Sequence, residues 1–135
     1  MGYFPVTGPA DCQLLRRALA EPTRDPGWWE RVNAGLGVLH EDFAEHVALT
    51  EGPDGCYTRL LEQAPRLACR VDLLLREHAA LILAISLLQQ RARLSCTANE
   101  LRGRGAELLG ELARHRQRGA DLIYQAYGVD LGGEG

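Results

Sequence analysis

The apolar residues of this chain recur at steps of three and four, which is the period of an amphipathic α-helix. This pattern runs through three long segments, and each segment carries its apolar residues on a single seam. The three seams are Val32, Leu36, Leu39, Phe43, His46 and Thr50; Leu67, Val71, Leu74, His78, Leu81, Ile85 and Leu88; and Leu101, Leu108, Leu112, His115, Gly119, Leu122 and Ala126. Because no stretch alternates as a half-buried strand does, the pattern predicts an all-α chain.

Prolines and glycines divide the first half of the chain into an irregular start and two predicted helices. Residues 1–9 hold two prolines and two glycines and are expected to be irregular. A short first helix over residues 10–21 ends before Pro22, because proline cannot continue a helix. The second helix is predicted over about residues 28–63, with a bend at Gly52-Pro53.

The second half of the chain is predicted to hold two further long helices. Pro65 opens one of them. Thr97 begins the other as an N-cap, and Glu100, three residues later, completes a capping box. The glycine-rich end, residues 129–135, is expected to be a flexible tail. Three long helices and one short helix, joined by short connectors, predict an up-and-down four-helix bundle over residues 10–128.

The composition fits one domain and excludes some partners. The chain has 135 residues, of which 46% are hydrophobic, and this is enough for one core but not for two. The net charge is −3 with both signs present, so there is no basic field to attract nucleic acid or an anionic membrane. The arginines beside His115, at positions 114, 116 and 118, are expected to form a solvated face.

The sequence also predicts a cytoplasmic location. The N-terminus, Met1–Pro5, lacks the charged start and apolar run of a signal peptide. The longest largely apolar stretch, Ala79–Leu88, is far shorter than the roughly 20 residues that span a bilayer. The four cysteines show no CxxC pair and no short metal-binding spacing, so they are expected to be reduced thiols.

Three of the four histidines, His46, His78 and His115, lie on the apolar seams of three different helices. His40 is turned about 100° off its seam. At about 1.5 Å per residue, His46 and His78 lie about 25 and 21 Å from the connector between the second and third helices. His78 and His115 lie about 22 and 27 Å from the next connector. In an antiparallel bundle the three imidazoles are therefore predicted to share one level and to point inward.

The free-energy cost of burying three histidines has to be offset by other interactions. Each unpaired buried polar nitrogen costs roughly 1–3 kcal/mol, and a domain has a net stability of only roughly 5–15 kcal/mol. A divalent metal bound by three neutral imidazoles would compensate. Hydrogen bonds among histidine, tyrosine, threonine and water would also compensate, and a single histidine on an apolar face is usually satisfied in that way. Both interpretations stay open at this point.

The segment over about residues 36–127 resembles the bacterial hemerythrin-like (HHE, cation-binding) family. The resemblance lies in Glu45-His46, in the run LLREHAAL that holds Glu77-His78, and in the run LARHRQRGADLIYQAY that holds His115. It implies a hemerythrin-like four-helix bundle. It also implies non-haem iron, which in this family often forms a di-iron centre that takes up oxygen.

The chain departs from that family where bridging carboxylates are expected. The family pattern has a glutamate one turn after the histidine of its second and fourth helices, whereas Thr50 and Gly119 stand at those positions here. Glu51 and Asp121 lie about 140° and 120° round the helix from the nearest seam histidine. Either carboxylate can reach the histidines only where the backbone bends nearby.

The sequence thus predicts a metal-binding protein with a reduced, histidine-rich core site. The predicted ligands are His46, His78 and His115, with Glu51 and Asp121 as weaker candidates. Because carboxylates are few, one ion is favoured over two, and iron or another transition metal suits imidazole ligands. Oxygen or redox sensing is the role that the resemblance implies.

Other interpretations stay open beside this one. A metal-free helical interaction module would retain the fold, would have lost the di-iron site and would need no cofactor. An enzyme is less favoured, because no catalytic acid can be placed. The first helix, about 18 Å long, is too short to reach the histidine level. A second copy of the chain is one candidate to cover the wall there, which leaves a homodimer open.

Overall fold

A computed structural model of the protein describes residues 9–94 and 96–128, and these ranges form helices and no strand. The α-helices are α1 (Pro9–Ala20), α2 (Trp28–Thr50), α3 (Cys56–Gln63), α4 (Ala68–Leu94) and α5 (Ala98–Ile123). A 3₁₀ turn over Pro65–Leu67 precedes α4, and a π-helical turn over Tyr124–Gly128 follows α5. The prediction of an all-α chain is confirmed. The predicted tail at 129–135 and all of the predicted irregular start except Pro9 lie outside the described residues.

The start of α5 follows the predicted cap in part. The Oγ1 atom of Thr97 accepts a hydrogen bond from the backbone N–H of Glu100 at 3.1 Å, so the N-cap is confirmed. The carboxylate of Glu100 does not complete the capping box, because it pairs with Arg91 on α4 and Arg104 on α5. The ion pair between Arg91 and Glu100 therefore links the end of α4 to the start of α5.

The prediction of one bent second helix is wrong, since the structure has two helices separated by a turn. α2 ends at Thr50, whose hydroxyl donates to the backbone carbonyls of His46 at 2.9 Å and Val47 at 3.2 Å. Gly52 then adopts a φ of 94°, which reverses the chain and which a helix cannot accommodate. α3 starts afresh at Cys56. Gly52-Pro53 therefore breaks the helix instead of bending it.

The helices enclose two separate apolar clusters. α1 packs against α2 and α5, α2 packs against α4, and α4 packs against α5, while α3 contacts α2 and the turn before α4. Side chains from α1, α2, α4 and α5 form the first cluster, which we call the Phe43 cluster. The second, the Tyr57 cluster, is formed by α3, the turn that follows it, and the ends of α4 and α5. Within the described ranges, no helix is both long and apolar enough to cross a membrane.

The turn between α2 and α3 generates a prediction about stability. A Cβ atom on Gly55 would lie 2.4 Å from the carbonyl oxygen of Thr50 and 2.5 Å from that of Glu51. Gly55→Ala is therefore expected to lower the free energy of unfolding by about 1–3 kcal/mol, because backbone atoms must move. Urea unfolding measures the change.

Gly103→Ala is the matched control, because a Cβ there meets no described atom within 4 Å. Alanine favours the helix over glycine, so this variant is expected to be more stable by about 0.5–1 kcal/mol. If both variants were equally stabilised, the close packing in the turn would be contradicted.

Candidate metal centre

The three seam histidines meet in the core. His46 comes from α2, His78 from α4 and His115 from α5, and the three residues are 8%, 1% and 3% exposed. Their ring centroids are 5.0 Å apart for His46 and His78, 5.6 Å for His46 and His115, and 4.9 Å for His78 and His115. The predicted common level and inward direction are confirmed by these distances.

Aromatic side chains border the three imidazoles. Phe43, one turn before His46 on α2, has its ring centroid 5.4 to 5.7 Å from the centroid of each imidazole. Tyr57 of α3 stacks on His78, with centroids 5.9 Å apart and planes 15° apart. Phe43 belongs to one apolar cluster and Tyr57 to the other. The histidines therefore form a polar layer between two apolar regions.

Two of the imidazoles are held by carboxylates. The Nδ1 atom of His78 lies 2.7 Å from Oε2 of Glu51, and the Nδ1 atom of His115 lies 2.7 Å from Oε1 of Glu77. An ionised carboxylate only accepts hydrogen bonds, so Nδ1 is the donor in each pair, and in a neutral imidazole the lone pair then lies on Nε2. No described group forms a hydrogen bond to these two buried Nε2 atoms. Both rings thus present a metal-binding nitrogen inside the core.

The two carboxylates come from different kinds of position, one just after the end of α2 and one within α4. Glu51 follows directly after α2, where its backbone is extended with φ −93° and ψ 167°, and its carboxylate contacts His78 of α4. Glu77 lies in α4, and its carboxylate contacts His115 of α5. In a continued helix the side chain of Glu51 would point away from the core. Because the helix ends at Thr50, the extended backbone of Glu51 lets its carboxylate turn towards His78. The break after α2 therefore supplies one of the two carboxylates.

Burial controls the protonation of the groups around the site. Desolvation lowers the pKa of His115 below its usual value, and Glu77 opposes the shift by accepting a hydrogen bond from the ring. The positive charges of His78, when protonated, and of Arg118 lower this pKa further. Burial also raises the pKa of Tyr57, and the acidic groups of Cys56, Glu51 and Glu77 add to that rise. The low pKa of His115 and the raised pKa of Tyr57 favour a neutral imidazole and a neutral phenol at neutral pH.

The donor atoms fit a single metal ion after a small contraction. One potential ligand atom from each histidine lies within 4.8 Å of the other two. If the three atoms were each 4.8 Å apart, the centre of their triangle would lie about 2.8 Å from each, while a zinc–imidazole bond is about 2.0–2.1 Å. Each ring would need to move by less than about 1 Å, which is within the reach of a side-chain rotation.

The predicted carboxylate ligands lie outside this group of donor atoms. Glu51 contacts the site through Nδ1 of His78. Asp121 is exposed, and its Oδ1 accepts a hydrogen bond from Nε2 of Gln117 at 3.0 Å. The structure thus brings together His46, His78 and His115 with Glu51 beside them, and it places Asp121 on the surface.

Four side chains next to the histidines were not identified as partners from the sequence. They are Phe43, Tyr57, Glu77 and Arg118. Glu77 was noted only as the neighbour of His78, and its contact with His115 depends on how α4 and α5 pack. Arg118 was expected on a solvated face, yet its Nε atom pairs with Oε2 of Glu77 at 2.6 Å. A glutamate stands directly before a seam histidine at Glu77-His78, but the exposed Glu45 stands in the same way before His46, so this sequence feature alone could not have indicated the cluster.

In comparisons with known proteins, no family model, curated protein or solved structure matches this chain. The hemerythrin-like assignment therefore stays a prediction. What the protein does has to be inferred from the geometry of the site.

The low pKa of His115 gives a testable pH dependence. Without metal, the folded state holds a proton on His115 less tightly than the unfolded state does, so acid favours unfolding. This contribution to stability is fully present above the ordinary histidine pKa of 6.5. It is lost as the pH falls from that value through the pKa of the folded state. The free energy of unfolding, measured with urea at pH 7.5 and pH 5.5, is expected to be lower at pH 5.5.

Two variants assign this pH dependence to its source. His115→Leu removes the titrating ring, so the difference between the two pH values should shrink. His40→Leu changes a partly exposed histidine outside the cluster and should keep the full difference. A difference that is the same in His115→Leu as in the unmodified protein would contradict the assignment to His115.

Proposed function

We propose that this protein binds one transition-metal ion in its core through imidazole nitrogens of His46, His78 and His115. The observation that carries the proposal is the convergence of three buried histidine donors within 4.8 Å of one another. Two of these rings also have Nδ1 fixed by a carboxylate, which leaves Nε2 as the donor. Such an arrangement suits zinc, copper or iron, since all three accept imidazole ligands.

The surroundings of the histidines favour one ion over a pair. A di-iron pair needs carboxylates that bridge the two metals, but Glu51 and Glu77 are engaged by the outer nitrogens of His78 and His115. Phe43 lies about equally far from all three rings and covers one side of their plane. In this proposal Glu51 and Glu77 orient the imidazoles, and Asp121 takes no part.

The proposed fold is a hemerythrin-like bundle in which α1, α2, α4 and α5 are the four helices, and α3 is an insertion after the second. Support comes from the packing of each of these helices against two of the others. The role we propose is sensing of oxygen or redox state in the cytoplasm, as the resemblance implies. A bound transition metal would supply a Lewis acid or a redox centre there. The chain would supply a site closed by Phe43 and lined by aromatic rings.

The first test is metal stoichiometry. Protein produced without a histidine tag and incubated with Zn²⁺ or Fe²⁺ is expected to retain about one equivalent after gel filtration, as measured by elemental analysis. Metal at a hundred times its dissociation constant should stabilise the fold by about 2.7 kcal/mol. His78→Leu and His115→Leu should each abolish tight retention, whereas His40→Leu should bind like the unmodified protein.

Less than about a tenth of an equivalent would contradict the proposal, because a built site should load completely at saturating metal. Two equivalents that both depend on the three histidines would contradict the single-ion site. Circular dichroism of each variant checks that its helices are retained.

A metal-free interaction module is the second candidate, and the contacts of the rings with Phe43 favour it. Those contacts already pack the imidazoles as an aromatic cluster at centroid distances of 5.4 to 5.7 Å. In this alternative the site holds no ion at all. The protein would instead act through its surface on a partner.

A double variant separates the two candidates. His78→Leu/His115→Leu removes two buried nitrogens without hydrogen-bond partners, each of which costs roughly 1–3 kcal/mol. The two carboxylates that lose an imidazole are partly exposed, so water can solvate them, and Glu77 keeps its ion pair with Arg118. Without metal, the double variant is expected to be at least as stable as the unmodified protein in urea unfolding. With saturating metal the order should reverse, because only the unmodified protein is stabilised by binding. An order that metal leaves unchanged would support the module instead.

A further inference from the structure

The carboxylate behind His115 is itself held in place. Glu77 uses both of its oxygens, since Oε1 is hydrogen-bonded to Nδ1 of His115 at 2.7 Å and Oε2 forms an ion pair with Nε of Arg118 at 2.6 Å, without the geometry of a hydrogen bond. Arg118 stands three residues after His115 on α5, so both contacts of Glu77 reach across from α4 to one side of α5. The three side chains form a chain of contacts from the core to the surface, where Arg118 is 41% exposed.

The carboxylate behind His78 is in a different position. The side chain of Glu51 is 37% exposed, compared with 19% for Glu77. Glu51 also stands outside a helix, between the end of α2 and the positive-φ Gly52. Water competes more strongly for an exposed carboxylate, and a charge contact is weaker in a more polar medium. Glu77 should therefore restrain its histidine more tightly than Glu51 does.

Two-point attachment has a direct consequence for a histidine donor. An ion pair at one oxygen restrains the rotation of the carboxylate, so its other oxygen holds the imidazole in a narrower range of angles. Because the carboxylate faces Nδ1 of His115, a neutral imidazole in this position has its lone pair on Nε2. Groups in this position behind metal-binding histidines typically change metal affinity by about 10–100-fold.

We infer that Glu77 is the main positioning residue of the proposed metal site, and that Arg118 sets the metal affinity of His115 from the surface through Glu77. This inference rests on the proposed function. Glu77 and Glu51 lie at the same distance from their histidines, yet we expect Glu77 to contribute more to the metal affinity. Arg118 acts without touching the ion, through one intervening side chain.

The test measures zinc affinity by competition with a chromophoric chelator at pH 7.5, using the full chain without a tag. Glu77→Gln should bind Zn²⁺ about 10–100-fold more weakly than the unmodified protein. Arg118→Gln should show a smaller loss in the same direction, and Arg118→Lys should recover part of that loss because it restores the charge. Glu51→Gln should weaken binding less than Glu77→Gln.

The matched control is Arg114→Gln. Arg114 is exposed, carries the same charge and lies one turn before Arg118 on the same helix. Its replacement should leave the zinc affinity within about twofold of the unmodified value, since it lies outside the chain of contacts from Glu77 to Arg118. This variant corrects for any general effect of lost positive charge near the site.

A second measurement reports on positioning directly. In metal-free protein, the Nδ1 proton of His115 should give a strongly deshielded NMR resonance because it is bonded to a carboxylate. Arg118→Gln should move or broaden this resonance, whereas Arg114→Gln should leave it in place. A general loss of stability would not single out this one proton. Because Arg118 is half exposed, its variants are expected to fold even if Glu77→Gln does not.

The outcomes separate this inference from the proposed function. If the unmodified protein takes up zinc, but Glu77→Gln and Arg118→Gln bind it equally well, the inference is overturned and the metal site stands. Stronger dependence on Glu51 than on Glu77 would also overturn it. If the unmodified protein takes up no zinc, both the inference and the proposed function fail.

Discussion

The burial of three imidazoles at one level of the core is the constraint on which the rest of this structure depends. The three histidines are buried between two apolar clusters, so their ring nitrogens need hydrogen-bond partners or a ligand within the core. Glu51 and Glu77 satisfy the outer nitrogens of His78 and His115. The Nε2 atoms of those two rings have no hydrogen-bond partner among the described residues and lie beside His46. They are therefore the atoms of the core that can bind a metal ion.

The same constraint explains an irregular feature of the fold. An uninterrupted second helix would have carried Glu51 away from His78 and would have left no place for α3. By ending at Thr50, the chain brings a carboxylate to His78 and then returns Tyr57 to stack on the same ring. The turn therefore serves the histidine layer at two points. Positive φ at Gly52 and close backbone packing at Gly55 are the local conditions that allow it.

The sequence predicted those parts of the molecule that depend on helical periodicity. Seam positions and rise per residue were sufficient to place His46, His78 and His115 at one level, because both quantities are fixed by helix geometry. The break after Thr50 was predicted as a bend, since Gly52-Pro53 shows only that the helix is disturbed and not how far the chain turns. The contact of Glu77 with His115 could not be predicted, because it depends on the rotation of α4 against α5. The ion pair of Arg118 with Glu77 also depends on this rotation, so the sequence alone indicates only a solvated position for Arg118.

Binding of one ion by the three histidines can be tested by X-ray absorption at the zinc edge, using protein reconstituted with one equivalent of zinc. We expect a first shell containing imidazole nitrogens at about 2.0–2.1 Å. We expect no second metal at the spacing of about 3.5–4 Å that is typical of two-metal sites. A shell of oxygen donors without imidazole scattering, or a metal–metal vector at that spacing, would contradict a single ion held by the three histidines.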